Sequence, residues 1–274
     1  MKSLSDCAKI LFIGDVVGKP GRQFLQRRLG DLAREIGAEL VIANGENSAG
    51  GLGINAKCAE ELFGAGVDVI TSGNHVWDKK EFLPYLNQNT TRIVRPMNYP
   101  SGVPGVGFCV VNLKDGTPVL ILNAIGRVLM SELLVDCPFA VVDKFLMEQE
   151  VGSESVKIKI LDFHAEATSE KLAMGFCFNG RLSAILGTHT HVQTADARIL
   201  SHATAYISDV GMCGPWQSVI GMEVDNIVKR FRTALPTRFE VAKGSIVCGA
   251  VSLTFDKLTG KAVSIERLHL IEEQ

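Results

Sequence analysis

The chain has 274 residues, with 28 Lys plus Arg against 30 Asp plus Glu and a formal net charge of −2. Apolar residues make up 46% and charged residues 21%, a globular balance with enough apolar content for a large core. That charge excludes a broad basic field, so duplex nucleic acid is not an expected partner, and no apolar run approaches the roughly 20 residues of a membrane span. The stretch Met1 to Lys9 is polar and lacks a signal-peptide core. The seven cysteines, at 7, 58, 109, 137, 177, 213 and 248, form no Cys-x-x-Cys pair. They read as reduced, packed thiols of a cytoplasmic protein.

In chain order, Lys9 to Gly14 is a short apolar run ending in Asp15, the pattern of a buried strand. A helix over about Arg22 to Ile36 follows, with Phe24, Leu25, Leu29, Leu32 and Ile36 on one stripe and Gly37 as its C-cap. A second strand, Glu39 to Ala43, leads into Asn44-Gly45-Glu46-Asn47. The glycine-rich loop Ser48 to Gly53 matches neither P-loop nor dinucleotide spacing and reads as a tight bend around a site. Asn55 caps a helix to Phe63, with Gly64 after it, and Val67 to Thr71 is a third strand ending in Ser72-Gly73-Asn74-His75. Lys79 to Asn87 reads as a short helix interrupted by Pro84, and Pro96 to Gly107 as loop. Val106 to Leu113 and Val119 to Asn123 flank an Asp115-Gly116 turn, the pattern of a hairpin.

Met130 to Gly152 is the least readable segment. Phe139, Val142, Phe145 and Leu146 have helical spacing there, compatible with a flap, a packing helix or an oligomer contact. Val156 to Asp162 alternates as a strand and ends at Phe163-His164-Ala165-Glu166, followed by a helix over Thr168 to Cys177. The apolar run Ser183 to Leu186 delivers His189 and His191, which an extended backbone would aim at one point. Tyr206 to Asp209, a helix around Glu223 to Thr233 and strands at Ser245 to Phe255 and Ala262 to Leu270 complete the chain. Helix–strand alternation followed by strand pairs predicts two packed sheets with helices outside.

The strand ends carry Asp15, Glu46 with Asn47, Asn74 with His75, His164, and His189 with His191. In open α/β sheets, ligands bind outside the carboxyl ends of strands. Two carboxylates, amide oxygens and three imidazoles without a thiolate suit hard-to-borderline divalent ions such as Mn, Fe or Zn, and are too many for one four-coordinate ion. Each residue also has a plainer use. Asp15 could cap a helix, Asn74 could belong to a turn, and His75 could be an ordinary loop histidine. Asn44 reads as a turn or supporting group. Asn123 and Arg127 are either phosphate contacts or structural, His202 and His269 are structural, and Asp209, Trp216 and Gln217 shape the pocket or a subunit contact.

The order GD, GEN, GNH, a middle His and HTH resembles the calcineurin-like metallophosphoesterases. The strings FIGDVVGKPGR, NGENSAGGLGI, TSGNHVWDKKE, DFHAEATSEK and THTHVQTADARIL resemble its YmdB-like branch of 2′,3′-cyclic-nucleotide phosphodiesterases, as far as about Met222. Val17 stands where the wider superfamily has a His, and Glu46 where it has a bridging Asp; both are features of that branch. The resemblance implies a single domain over 1–274, a four-layer α/β/β/α sandwich, and two divalent ions, Fe or Mn, with Zn or Mg as alternatives. Asp15, Glu46, Asn47 and His191 would hold one ion, and Glu46, Asn74, His164 and His189 the other. A metal-bound hydroxide would attack a small cyclic nucleotide, with His75 as proton donor. The resemblance also implies a homo-oligomer. Two other functions fit the same residues. One is a phosphatase or phosphodiesterase acting on another ester. The other is a regulatory protein that binds RNA or an enzyme, with the metal site secondary and Met130–Gly152 as its partner surface.

Overall fold

Strand β1 (Cys7–Ile13) lies at the centre of one sheet, where Ala8, Ile10, Leu11, Phe12 and Ile13 are all buried. Burial on both faces explains why it reads as an unbroken apolar run rather than an alternating one. In this computed structural model the described residues are 6–89, 91–130, 133–150 and 156–273. After β1 come β2 (Asp15–Val16), α1 (Gly18–Ile36), β3 (Leu40–Asn44), α2 (Ala56–Ala65), β4 (Val69–Thr71) and α3 (Leu83–Gln88). Then come β5 (Phe108–Asn112), β6 (Pro118–Ile125), α4 (Pro138–Glu150), β7 (Ile158–His164), α5 (Thr168–Cys177) and β8 (Ala184–Thr188). The rest is β9 (Arg198–Ile199), β10 (Ala205–Ile207), β11 (Met212–Pro215), α6 (Val224–Thr233), β12 (Ile246–Asp256) and β13 (Ala262–Glu272).

The strands form two sheets. The first has seven strands in the order β2-β11-β12-β1-β3-β4, with β13 also paired to β12. The second has six in the order β5-β6-β7-β8-β10-β9. Strands β1, β3 and β4 run parallel, as do β6, β7, β8 and β10. Alternate residues of both sheets meet in one buried layer: Ile10 and Phe12 of β1 and Ile42 of β3 pack with Ile121 of β6, Ile160 of β7 and Leu186 of β8. The opposite face of the first sheet is covered by α1 and α2 through Leu25, Leu29 and Leu62. The opposite face of the second is covered by α4 and α5 through Val142, Leu146, Met174 and Phe178. The described molecule is therefore a mixed α/β fold of two facing sheets. Among the described residues, no helix is long and apolar enough to cross a membrane.

Several boundaries differ from the sequence reading for local reasons. Helix α1 begins at Gly18 rather than Arg22, because Pro20 sits in the first turn, where its missing N–H costs nothing. It ends as expected at Gly37, whose φ of 75° allows the cap bonds to Ala33 and Arg34. Helix α2 runs through Gly64 and stops at Gly66 with φ 108°, while Asn55 caps Cys58 N–H as its sequence position suggests. Pro84 does not interrupt a helix but opens α3, after a 3-10 turn over Lys80–Phe82. Phe139, Val142, Phe145 and Leu146 do form a helix, α4, which packs on the second sheet. Positions 131–132 and 151–152 of that segment lie outside the described residues. The two-residue strands β2 and β9 and the strand β11 carry too few residues for a periodic signal, so the sequence did not announce them.

Candidate metal centre

The candidate ligands converge at one rim, but their strands do not share one sheet. Asp15, Glu46 and Asn74 follow β1, β3 and β4 of the first sheet, while His164 and the pair His189 and His191 come from β7 and β8 of the second. Buried cross-links tie the two rims together. Asp162 of β7 accepts from Thr71 of β4 (2.5 Å), Asn44 of β3 (2.9 Å) and Thr188 of β8 (2.7 Å).

His164 sits at the middle of the cluster. Its Nε2 lies 2.9 Å from Glu46 Oε1, 3.1 Å from Asn74 Oδ1 and 3.0 Å from His189 Nδ1. The Thr188 hydroxyl donates to Asp162, so it accepts from His164 Nδ1–H at 2.9 Å, and Nε2 presents its lone pair to the site when the ring is neutral. His189 is set the other way round: its Nε2 faces Glu166 at 3.2 Å, leaving Nδ1 inward. His191 gives Nδ1–H to Ile220 O at 2.9 Å, and its Nε2 lies 4.0 Å from Asp15 Oδ1. Glu46, His164 and His189 thus offer atoms within 4.8 Å of one another.

The extended backbone expected for His189-Thr190-His191 is not what brings these rings in. Strand β8 ends at Thr188, and His189 and His191 have φ of 105° and 63°. Such conformations cost of order 1–3 kcal/mol each and need fixed surroundings. Asp209 supplies them by accepting from Thr190 N–H (3.0 Å) and hydroxyl (2.7 Å) while paired with buried Lys171 (2.8 Å). Asp15 Oδ2 also accepts from His189 N–H at 3.1 Å.

Two observations test whether a metal fits. Asp15 Oδ1 and Asn47 Oδ1 are buried oxygens without a hydrogen-bond partner. The Asn47 amide nitrogen donates to Gly51 O at 3.0 Å, so this oxygen cannot be exchanged for the nitrogen without losing that bond. Buried unpaired acceptors carry a desolvation cost of about 1–3 kcal/mol each, which a cation removes. Gly73 provides the second observation, since a Cβ there would sit 2.2 Å from Glu46 Oε2 and 2.4 Å from His164 Nε2. The backbone is kept bare where the carboxylate and imidazole meet. The donor set of carboxylates, amide oxygens and neutral imidazoles fits borderline divalent ions.

The cluster's protonation is coupled to that fit. Burial favours neutral His164, but Glu46, Asp15 and Asp162 outweigh it and raise the imidazole to about 9. Burial would raise Glu46, yet His164 and His75 bring it down to about 2. Burial and the His164 charge push His189 down to about 3. Burial raises Asp15, partly offset by His191 and His164, and lifts Asp162 to about 6 against His164 and its three donors. Near neutral pH His164 is therefore protonated, and a metal at its Nε2 must displace that proton. Loading a divalent ion is expected to release about one proton per chain, with affinity rising with pH up to the His164 value and flattening above it. Calorimetry in buffers of different ionisation heat checks this; buffer-independent heats would contradict it.

His75 stands at the edge of the cluster, with a side chain 28% exposed. Its Nδ1 lies 2.9 Å from Asp78 Oδ2, and its N–H donates to Glu46 Oε2 at 3.2 Å. Glu46, Asn47, His75, His189 and His191 line one cavity of about 460 Å³. A neighbouring cavity of about 320 Å³ also touches His191, but no carboxylate lines it.

The remaining sequence candidates fall outside this centre. Asn123 is buried, accepting from Ser72 N–H and donating to Asp162 O, so its role is structural. Arg127 lies in a different cavity beside Glu170. Trp216 packs edge-on against His269, and both line the neighbouring cavity that touches His191. Sequence reading passed over Asp162, Thr188, Glu166 and Asp78. Asp162 had one visible signal, a carboxylate that follows the apolar pair Ile160-Leu161 two residues before His164.

Comparison with known proteins bears on the family and the fold. A family model described as YmdB-like protein matches residues 11–268 and so extends past Met222 into the last strand. A 2′,3′-cyclic-nucleotide 2′-phosphodiesterase of Bacillus subtilis (strain 168) is 45% identical over 260 residues, covering 95% of this chain and 96% of that protein. The crystal structure of a novel phosphatase from Mycoplasma pneumoniae superposes with a TM-score of 0.91 at 35% identity, covering 98% of this chain and 95% of that one. A hypothetical protein from Thermus thermophilus superposes with a TM-score of 0.88 at 40% identity, covering 96% and 99% of the two chains. Fold and site together define an α/β protein of phosphatase build, with a carboxylate–imidazole cluster across the ends of two sheets. The chain belongs to the YmdB-like protein family.

Proposed function

We propose that this phosphoester hydrolase is a dinuclear-metal phosphodiesterase that opens 2′,3′-cyclic nucleotides. The observation that carries this reading is the pair of orphaned buried oxygens, Asp15 Oδ1 and Asn47 Oδ1, at a cluster where His164 Nε2 meets Glu46, Asn74 and His189. The substrate follows the name of the Bacillus subtilis relative. Two facing sheets with helices on their outer faces support one α/β/β/α domain of calcineurin-like type.

Asp15, Glu46, Asn47 and His191 would hold one ion, and Glu46, Asn74, His164 and His189 the second. Glu46 suits the shared position because its two oxygens point to different partners, Oε1 to His164 and Oε2 to the His75 N–H. Bound divalent ions supply positive charge to a phosphoryl oxygen and acidify water to a pKa of about 7. The chain's own residues do the rest. Thr188, Glu166 and Ile220 O fix which nitrogen each imidazole turns inward. Opening the cyclic ester releases a ribose oxygen that needs a proton, and His75 Nε2–H gives it. Asp78 accepts from His75 Nδ1–H and so keeps that donor aimed into the cavity.

The direct test is metal analysis of the purified protein with hydrolysis of a 2′,3′-cyclic nucleotide before and after chelation. Stoichiometric divalent metal and chelator-sensitive, metal-restorable opening of the ring are expected. Full activity in metal-free protein would refute the reading. Faster turnover of a phosphomonoester at equal enzyme would move the substrate to that class.

A further inference from the structure

The cavity at the metal centre is lined by two sets of side chains of opposite chemistry. One set is Glu46, Asn47, His75, Glu166, His189 and His191, from the strand ends of the metal centre. The other is an apolar and aromatic wall of Met222, Ile227, Phe231 and Phe239, with Arg230 as the one Lys or Arg among the lining residues. Helix α6 builds that wall. Ile227 is buried, and Phe231 follows it by one turn on the same face. Phe231 is nonetheless 81% exposed and Phe239 45% exposed, and both line the cavity. Among the described residues, no carboxylate pairs with Arg230, whose guanidinium makes a long donation to Ala234 O at 3.4 Å.

We propose that this wall forms the nucleotide subsite and that it reads two features: a base stacked on Phe231 and Phe239, and a second phosphate held by Arg230. The proposal rests on the phosphodiesterase reading above and deepens it. Aromatic faces stack on bases with little regard to identity, and a guanidinium grips phosphate through two parallel bonds. In a 2′,3′-cyclic nucleotide the ring phosphate belongs at the metal centre, while base and ribose carry no charge. An anion at Arg230 must then hang from the 5′ oxygen. The preferred substrate is a 5′-phosphorylated ribonucleotide, or the 3′ end of an RNA chain, closed by a 2′,3′-cyclic phosphate. The chain's net charge of −2 is no obstacle, because one local cation suffices for one phosphate.

The test compares kcat/KM for adenosine 2′,3′-cyclic phosphate, its 5′-phosphorylated form and base-free ribose 2′,3′-cyclic phosphate. Wild type is expected to favour the 5′-phosphorylated form by about tenfold. Arg230→Gln should erase that preference, and Arg230→Lys should keep part of it. Phe231→Ala or Phe239→Ala should cut the preference for the nucleoside over the base-free ester by about tenfold. A wild type indifferent to the 5′ phosphate overturns the proposal. So does an Arg230→Gln variant that slows both nucleotides equally, since Arg230 would then serve the ring phosphate. If none of the three esters is opened, the phosphodiesterase reading fails, and calorimetric binding of adenosine 3′,5′-bisphosphate decides the subsite separately. Binding weakened by Arg230→Gln and Phe231→Ala supports it; absent or unchanged binding sinks it.

Discussion

His75→Ala is expected to lower turnover of a 2′,3′-cyclic nucleotide by about 10²–10⁴-fold while metal content stays at the wild-type level. The loss is large because an unprotonated ribose oxygen is a poor leaving group. Metal content should hold because the His75 ring bonds to Asp78, and its backbone N–H, which alanine keeps, is what touches Glu46. Parallel metal analysis and steady-state kinetics check the prediction. A variant that loses metal along with activity would place the ring among the ligands. A variant with near-normal kcat would assign the proton to water.

Glu46→Gln should weaken metal binding by more than the 10–100-fold typical of groups one step removed from an ion. The change removes a negative charge but almost no volume. Glu46 is buried against His164, so the variant takes from the cluster the carboxylate closest to that imidazole and leaves an uncharged amide in its place. Its carboxylate is held near 2 by His164 and His75, so it is fully ionised at neutral pH and the charge lost is a whole one. Competition with a chelating dye measures the effect. If both ions were kept at wild-type affinity, the carboxylate would not be shared between them.

Much of the candidate centre was legible in the chain. Asp15, Glu46, Asn74 and His164 stand at or just beyond the ends of apolar runs, and strand ends are where α/β proteins place ligands. The Asn55 cap and the Thr168–Cys177 helix were equally plain, because capping and helical periodicity are local. The supporting atoms were not legible. Asp162 gathers Thr71, Asn44 and Thr188 from three other strands, and no local pattern records a contact across 118 residues of chain.

The HTH stretch shows the same division. Its residue types point to a candidate metal site, but the convergence does not come from an extended strand. Two positive φ angles turn the rings inward, and Asp209, twenty residues from His189, holds them there. Residue order by itself determined which side chains could meet: carboxylates, amides and imidazoles set at the ends of buried strands. Tertiary structure alone decided which nitrogen of each ring faces the centre, that Asp15 Oδ1 and Asn47 Oδ1 are left without partners there, and that α6 lines the cavity with Phe231 and Arg230. The physical reason is range. Periodicity acts over a few residues, whereas tautomers, orphaned acceptors and cavity walls depend on what distant segments bring alongside.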